Sequence, residues 1–173
     1  REKEMLMFIK SLIIHQYLTK TEKVLGNTMM CKINDTNQYK INCLIGIVKS
    51  IVNNLCNVEK SLNNSTIVES ILKREELCST ALDNYIAIPH AKISGISKTY
   101  ASMTICKEGT DFGSVDELKT KIFVLILHPE NTDNNHLEIL RSVANIFAKK
   151  SIVDEILSLE DKNLIYQIIQ THE

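Results

Sequence analysis

The sequence predicts a single α/β domain in which a mixed β-sheet carries helices on its faces. Segments with the period-two pattern of strands alternate along the chain with segments at helical spacing. Residues 122–127 are apolar at every position, as expected of a central strand covered on both faces. The 173 residues, of which 44% are hydrophobic and 24% charged, suffice for one domain with a sizeable core.

The N-terminal region is predicted to begin with a helix, because residues 3–18 carry apolar side chains at helical spacing. A short strand is expected over residues 28–33. We expect residues 1–25 to form an extra helix, either the end of a preceding domain or linker or an extension of this one, and residues 26–173 to form the main domain. The chain begins with Arg1, as a fragment of a longer protein would.

Two amphipathic helices are expected next. Residues 41–56 repeat apolar side chains at intervals of three and four, the pattern of a helix with one buried face. Thr66 and Glu69 have the spacing of a capping box, which predicts the start of a second helix that runs to about Leu77. This second helix places Arg74 in its last turn.

A short predicted strand ends at a histidine. Ile86 and Ile88 alternate with Ala87, and Pro89 then cannot donate a ladder hydrogen bond, so the strand should stop there or become an edge. His90 follows at once, held by a rigid strand yet within reach of solvent. The pKa of an unperturbed imidazole lies near neutral pH, so this position suits a nucleophile or a proton carrier. An isolated histidine there would be an ordinary turn residue.

The C-terminal half is predicted to hold two strands and three helices. Residues 99–105 alternate apolar and polar side chains, and the apolar strand over residues 122–127 follows. A helix is expected from His136 to about Ala148, and two shorter helices after it. The three start signals are Asn135 with Glu138, Ser151 with Asp154, and Ser158 with Asp161.

Composition excludes several classes of protein. The formal net charge of −1 gives no electrostatic footprint for nucleic acid or an anionic membrane. No apolar run approaches the length that would span a bilayer, and no cleavable signal pattern opens the chain. The five scattered cysteines include no CxxC pair, which argues against a disulfide framework or a structural zinc site and favours a reducing cytoplasm.

Three stretches together resemble a known family. They are REELCST over residues 74–80, IAIPH over residues 86–90, and His136-Leu137 at a helix start. This combination resembles the enzyme IIA domain of the fructose/mannitol class of the bacterial phosphoenolpyruvate-dependent sugar phosphotransferase system. In that family an arginine stands sixteen residues before the phosphorylated histidine and a second site histidine forty-six after it; here 90 − 74 = 16 and 136 − 90 = 46.

The resemblance implies a phosphocarrier. His90 would accept a phosphoryl group from the phosphocarrier protein HPr and pass it to a IIB domain during sugar uptake, in the cytoplasm. Arg74 and His136 would line the same pocket, and Ser79 and Thr80 would add hydroxyl or backbone N–H donors for the phosphoryl oxygens. The resemblance implies no metal or other cofactor, no direct contact with nucleic acid and no membrane insertion.

The same family includes regulatory members, which gives an alternative. IIA-like domains are also attached to transcription antiterminators or act alone, so the chain could be a regulatory domain whose activity is set by phosphorylation of His90. In either role, the imidazole must be neutral with one ring nitrogen free to attack, and the other ring nitrogen should donate to a carbonyl or a similar acceptor.

Two features depart from the family pattern or remain open. Residues 81–85 contain no glycine, where the family is usually glycine-rich; Asp83 and Asn84 tolerate left-handed backbone conformations, and the bulk of Tyr85 could change which partner docks. His128 ends the apolar strand. With His90 and His136 it could form a three-histidine metal face, which would make the protein a metal-dependent hydrolase.

Overall fold

The computed structural model describes residues 12–15, 36–131 and 135–172. Within this part, the strands are β1 (Leu12–His15), β2 (Ile86–Ala87), β3 (His90–Ile93), β4 (Tyr100–Thr110) and β5 (Thr120–Pro129). The helices are α1 (Thr36–Val58), α2 (Asn64–Leu77), α3 (Asn135–Phe147), α4 (Lys150–Ser158) and α5 (Lys162–Thr171).

The strands form one mixed sheet, as predicted. β1 pairs in parallel with β4, and β4 pairs antiparallel with β5, its neighbour in sequence. β2 and β3 both pair in parallel with β5, one after the other along its free side, so that they share one edge of the sheet. The break between them falls at Ile88 and Pro89.

The helices cover both faces of the sheet. Side chains of β5 alternate between two apolar clusters: Val124 and Ile126 pack with residues of α3, α4 and α5, whereas Phe123 and Leu125 pack with residues of α1 and α2. All of residues 122–127 are buried. The prediction of a central strand covered on both faces is therefore confirmed, and with it the α/β class.

The predicted N-terminal helix is wrong where the structure describes it. Leu12–His15 form strand β1, whose residues pair with residues 101–104 of β4. A short apolar run such as residues 12–14 fits a helix and a buried strand alike, and the edge of β4 decides between them. The remainder of residues 1–25 and the predicted strand at 28–33 lie outside the described residues, and the domain boundary at residue 25 stays a prediction.

The predicted helices and the later strands exist, with shifted ends. α1 begins at Thr36, five residues before its predicted start, and β4 runs on to Thr110. α2 begins at Asn64 rather than at Thr66, because the side chain of Asn63 accepts a hydrogen bond from the Thr66 N–H at 3.1 Å and is the N-cap. The predicted capping box at Thr66 is therefore wrong, because the cap lies three residues earlier in the sequence.

The start signals predicted for the last two helices are also wrong. Ser158 is the last residue of α4, and α5 is capped three residues later by Asp161, which accepts from the Asn163 N–H at 2.8 Å. The residue before α4 is Lys149, which makes no side-chain cap, so Ser151 lies inside the first turn of α4 and does not cap it.

α1 corrects the expectation that no apolar run approaches the length needed to span a bilayer. Residues 41–58 are long and apolar enough to cross a membrane by length and composition. In the fold, one side of this helix packs into the core: Ile47, Val48, Ile51 and Leu55 are at most 1% exposed. α1 is thus an amphipathic helix packed against the sheet.

Candidate functional site

The candidate site lies at the sheet edge where β2 gives way to β3. The Pro89 carbonyl still accepts a hydrogen bond from the Ile126 N–H of β5 at 2.9 Å, and the Ile88 N–H donates to the Thr80 carbonyl at 3.0 Å. His90 was expected at the end of the preceding strand, with a loop after it; it is instead the first residue of β3. The proline therefore interrupts the edge and leaves the ring of His90 half-buried beside it.

Both ring nitrogens of His90 have defined neighbours. Nδ1 lies 2.8 Å from the carbonyl oxygen of Ile88, two residues earlier. Since a carbonyl can only accept, Nδ1 carries the proton and donates to it. Nε2 then carries the lone pair and accepts a hydrogen bond from Nε of Arg74 at 3.3 Å. The expected tautomer is present, with Nδ1 donating to a carbonyl and Nε2 unprotonated; the hydrogen bond from Arg74 must be released when Nε2 attacks.

The surroundings of His90 favour the neutral ring. Burial lowers the pKa of His90 below its usual value of 6.5, and the nearby charges of Arg74 and His136 lower this pKa further. The hydrogen bond to Ile88 acts in the opposite direction and is outweighed. At neutral pH the imidazole is therefore uncharged and nucleophilic at Nε2.

Arg74, which the resemblance places in the same pocket, reaches His90 from the last turn of α2. Its Nε donates to His90, and its Nη1 donates to the carbonyl of Cys78 at 2.8 Å. The second hydrogen bond ties the guanidinium to the turn that follows α2. The side chain is thus held in one orientation beside Nε2, where an anionic group bound to His90 would lie.

His136 comes from the first turn of α3, on the sheet face that α3 to α5 cover. Its ring centroid lies 5.8 Å from that of His128, with an angle of 64° between the ring planes. His136 is also close enough to His90 to contribute to the lowered pKa of that residue. The structure therefore brings His90, His128 and His136 to one region, with Arg74 entering from the other layer of helices.

Ser79 and Thr80 lie on the turn after α2, with their donors already engaged. The Ser79 hydroxyl donates to the Phe112 carbonyl at 2.8 Å. The Thr80 N–H donates to Oε2 of Glu75 at 2.9 Å, and its hydroxyl donates to Oε1 of the same carboxylate. The phosphate-binding role of Ser79 and Thr80 stays a prediction.

Glu75 is the residue that the sequence reading missed. It is buried, and burial raises the pKa of its carboxyl group, while its hydrogen bonds from Thr80 and the charge of Arg74 act in the opposite direction. Through Thr80, Glu75 fixes the turn that also supplies the Cys78 carbonyl to Arg74. The sequence offers one indication of this role. A carboxylate in the last turn of a helix interacts unfavourably with the helix dipole, so a compensating hydrogen-bond partner is expected nearby.

The glycine-free turn adopts the backbone that glycine usually provides. Asn84 and Tyr85 have φ angles of 62° and 68°, in the left-handed region. The expectation is confirmed for Asn84, whereas Asp83 is not among the described residues with positive φ and Tyr85, unexpectedly, is. The Asn84 N–H donates to Asp116 at 3.3 Å, and Lys121 lies 4.8 Å from the centre of the Tyr85 ring. These contacts hold a conformation that the side chains themselves disfavour.

The three histidines do not make a metal site that the geometry supports. Across residues 12–15, 36–131 and 135–172, no group of three or more His, Cys, Asp or Glu side chains is placed to hold a metal ion. A metal-dependent hydrolase is therefore not proposed.

Taken together, the site is a neutral histidine nitrogen at a sheet edge, directed at an arginine and flanked by further histidines, which suits the acceptance of an anionic group. The profile of the family "Phosphoenolpyruvate-dependent sugar phosphotransferase system, EIIA 2" matches residues 36–172. The chain belongs to this family.

Characterised relatives include both transport and regulatory proteins. A nitrogen regulatory protein of Pseudomonas aeruginosa is 28% identical over 123 residues, which cover 71% of this chain and 80% of the relative. The fructose-specific EIIABC component of Bacillus subtilis is 28% identical over 142 residues, covering 82% of this chain. The chain spans only 22% of the length of that multidomain protein.

Solved structures share the fold. The nitrogen regulatory protein IIA-Ntr from Neisseria meningitidis has a TM-score of 0.75 at 22% identity, covering 94% of this chain and 99% of that one. Enzyme IIA of the Escherichia coli mannitol system, solved in complex with phosphorylated enzyme IIB, has a TM-score of 0.61 at 15% identity, covering 94% and 95%.

Proposed function

We propose that this protein is a phosphohistidine carrier that accepts a phosphoryl group from an HPr-type phosphocarrier on Nε2 of His90 and passes it to a IIB domain during sugar uptake. One observation carries the proposal. Nδ1 of His90 is held by the Ile88 carbonyl, so that the lone pair of Nε2 is directed at the guanidinium of Arg74. A nucleophile and an anion-binding group are thus already aligned.

The transfer balances without a cofactor. The Nε2 lone pair attacks the phosphorus of a phosphohistidine on the donor protein, the new N–P bond forms, and the old N–P bond breaks with its electron pair returning to the donor imidazole. Nδ1 keeps its proton. The ring becomes positively charged, which the Ile88 carbonyl and the phosphoryl anion compensate. The reverse sequence releases the group to the next acceptor.

In this scheme Arg74 stabilises the charge on the phosphoryl oxygens during transfer, and its planar fork of donors suits that group. His136 adds a ring donor from the N-terminal turn of α3, where backbone groups also favour an anion. Ser79 and Thr80 act from the turn after α2, either as direct donors after exchanging their present partners or by holding the turn in place.

A protein partner is supported by the apolar side chains beside the site. Leu77, just past Arg74 on α2, is 83% exposed, and Leu137, next to His136, is 54% exposed. Exposed large apolar side chains beside a reactive group suit docking of another protein better than binding of a sugar. We infer the IIB partner by analogy with the mannitol enzyme IIA, which has been solved in complex with phosphorylated IIB. We place the transfer in the cytoplasm.

The test is phosphorylation by the upstream chain of phosphoenolpyruvate, enzyme I and HPr. The wild-type protein should gain the mass of one phosphoryl group in an acid-labile, base-stable linkage, as expected of phosphohistidine. His90→Gln should abolish this gain, and His172→Gln, which changes an exposed histidine of the C-terminal end, should not. Equal incorporation into His90→Gln and wild type would show that the nucleophile is another residue.

A regulatory role is the second candidate, and one observation favours it. The chain covers 80% of the P. aeruginosa nitrogen regulatory protein but only 22% of the EIIABC component, so the likeness extends over most of the regulatory protein. A chase experiment separates the two candidates. Phosphorylated protein mixed with fructose- and mannitol-type IIB domains should lose its label to one of them if it serves transport. Retention of the label with every IIB domain would favour regulation.

A further inference from the structure

His128 is a buried histidine to which the mechanism above assigns no role. It is the next-to-last residue of β5 and is 1% exposed. Its Nδ1 lies 3.2 Å from the hydroxyl oxygen of Thr99. Its Nε2 is buried and has no hydrogen-bond partner among the residues that the structure describes. Buried polar atoms of native proteins nearly always have a partner, so an exception requires an explanation.

Strand pairing places this nitrogen close to the nucleophile. His90 is paired with Ile126 and Lys92 with His128, in the parallel ladder of β3 and β5. Ile126 and His128 are two residues apart and therefore project from the same face of the sheet. The usual strand spacing and rise put the Cα atoms of His90 and His128 about 8 Å apart, with both side chains on that face.

The remaining neighbours of His128 lie on the same side. The ring of His136, from α3, packs against it edge to face with a centroid distance of 5.8 Å. The charged and titratable groups that act on His128 are His136 from α3 and His90 and Lys92 from β3. His128 thus lies on the same face of the sheet as His90 and in ring contact with His136.

His128 remains uncharged under the conditions in which transfer would occur. Burial and the neighbouring charges of His136, His90 and Lys92 lower the pKa of His128 to about 4. A neutral imidazole has one N–H, and when the Thr99 hydroxyl donates to Nδ1, that proton is on Nε2. A neutral donor suits this place, because it can bind an anion without adding a positive charge beside the nucleophile.

We propose that His128 is a further ligand of the phosphoryl group: Thr99 donates to Nδ1 and fixes the tautomer, and Nε2–H donates to an oxygen of the phosphoryl group carried by His90. This inference rests on the proposed function. His128 forms and breaks no covalent bond. Its donor is idle in the unphosphorylated protein and gains an acceptor when the phosphoryl group arrives, an interaction specific to the charged state.

The direct test needs no substitution. The wild-type protein, labelled with ¹⁵N in histidine, is compared by NMR before and after phosphorylation with phosphoenolpyruvate, enzyme I and HPr. The Nε2–H proton of His128 should shift downfield and exchange more slowly with solvent once the phosphoryl group is attached. Unchanged His128 resonances in protein that carries the phosphoryl group would overturn the inference.

Two variants supply an independent readout. His128→Phe keeps the aromatic ring and its packing against His136 but removes both nitrogens, whereas His128→Gln can place an amide N–H near the position of Nε2. We expect His128→Phe to accept phosphate at least about tenfold more slowly, through kcat and not through KM for HPr, as for loss of one oriented donor. His128→Gln should recover most of that rate, and His172→Phe should equal wild type.

The outcomes distinguish failure of the proposed function from failure of the inference about His128 alone. Wild-type protein that takes up no phosphoryl group overturns the proposed function and this inference with it. Wild-type protein that is phosphorylated normally, with His128→Phe equally fast, overturns this inference alone. Thermal melts accompany the rates, and should His128→Phe fail to fold, the NMR comparison on the wild-type protein decides.

Discussion

At the scale of single residues, Arg74 and His90 divide the work between placement and attack. The guanidinium is oriented by two hydrogen bonds, to Nε2 of His90 at 3.3 Å and to the Cys78 carbonyl at 2.8 Å. A phosphoryl group on Nε2 therefore meets a guanidinium that already lies beside it, and the Nε–H that bonds Nε2 need only turn to a phosphoryl oxygen. This arrangement predicts that the geometry of the arginine matters as well as its charge.

We predict that Arg74→Lys folds normally and is still phosphorylated on His90, but more slowly by about ten- to a thousand-fold, because lysine keeps the charge and loses the planar fork. His136→Ala should also slow transfer without removing the acceptor. The measurement is a time course of phosphorylation with HPr in excess, run beside thermal melts.

The matched control for this substitution is Arg141→Lys, the same chemical change at an exposed position of α3. It should leave the rate unchanged. If Arg74→Lys and His136→Ala both react at the wild-type rate with unchanged melting temperatures, His90 would be the only supported residue of the site.

At the scale of elements, helix α2 positions Arg74 at the edge of the sheet. Its N-terminus is fixed by Asn63, whose side chain accepts from the Thr66 N–H at 3.1 Å and from the Ser65 hydroxyl at 2.8 Å. Its apolar face, which includes Ile67 and Ile71, is fully buried. The position of Arg74 thus depends on the whole helix and not only on its last turn.

Removal of the cap should cost stability. We predict that Asn63→Ala lowers the free energy of unfolding by about 1 kcal/mol, because a helix N–H loses its acceptor. Urea denaturation followed by circular dichroism measures the change. Asn53→Ala is the control: Asn53 is an exposed residue in the interior of α1, where alanine is a better helix former, so that variant should be as stable as wild type or slightly more so. Equal stability of Asn63→Ala and wild type would mean that the cap contributes nothing.

The interrupted edge formed by β2 and β3 is the other element that makes the site. A continuous strand would use its backbone groups in the ladder and direct its side chains alternately to the two faces. The break at Pro89 instead leaves the Ile88 carbonyl available to the ring of His90, at 2.8 Å from Nδ1. The same carbonyl therefore selects the tautomer that exposes a nucleophilic nitrogen.

At the scale of the whole molecule, the buried histidines make stability depend on pH. The pKa of His128 is about 4 in the folded protein and about 6.5 in the unfolded chain. As the pH falls through 6.5, His128 of the unfolded chain becomes protonated, whereas His128 of the folded protein stays neutral until about pH 4. Stability is therefore full above pH 6.5 and is lost progressively down to pH 4.

The prediction is that wild-type protein loses about 3 kcal/mol more of its unfolding free energy between pH 7 and pH 4 than His128→Gln does. The raised pKa of Glu75 acts with the opposite sign, because the folded protein keeps that proton as the pH rises, but it is common to both proteins. Urea titrations at several pH values give the comparison. Parallel stability curves for wild type and His128→Gln would contradict the lowered pKa.

The sequence by itself determined the α/β class and the central apolar strand, because both follow from local periodicity. The grouping of His90 with Arg74 and His136 came from the resemblance to the enzyme IIA family, whose spacing of these three residues this sequence shares.

Only the tertiary structure decided the rest. Leu12–His15 form a strand because β4 offers an unpaired edge, a partner nearly ninety positions further along the chain. The ring of His128 owes its surroundings to Thr99 and to His136 of α3, which are distant from it in sequence or on another element. Hydrogen bonding and burial depend on which segments meet in space, and local sequence patterns do not record that choice.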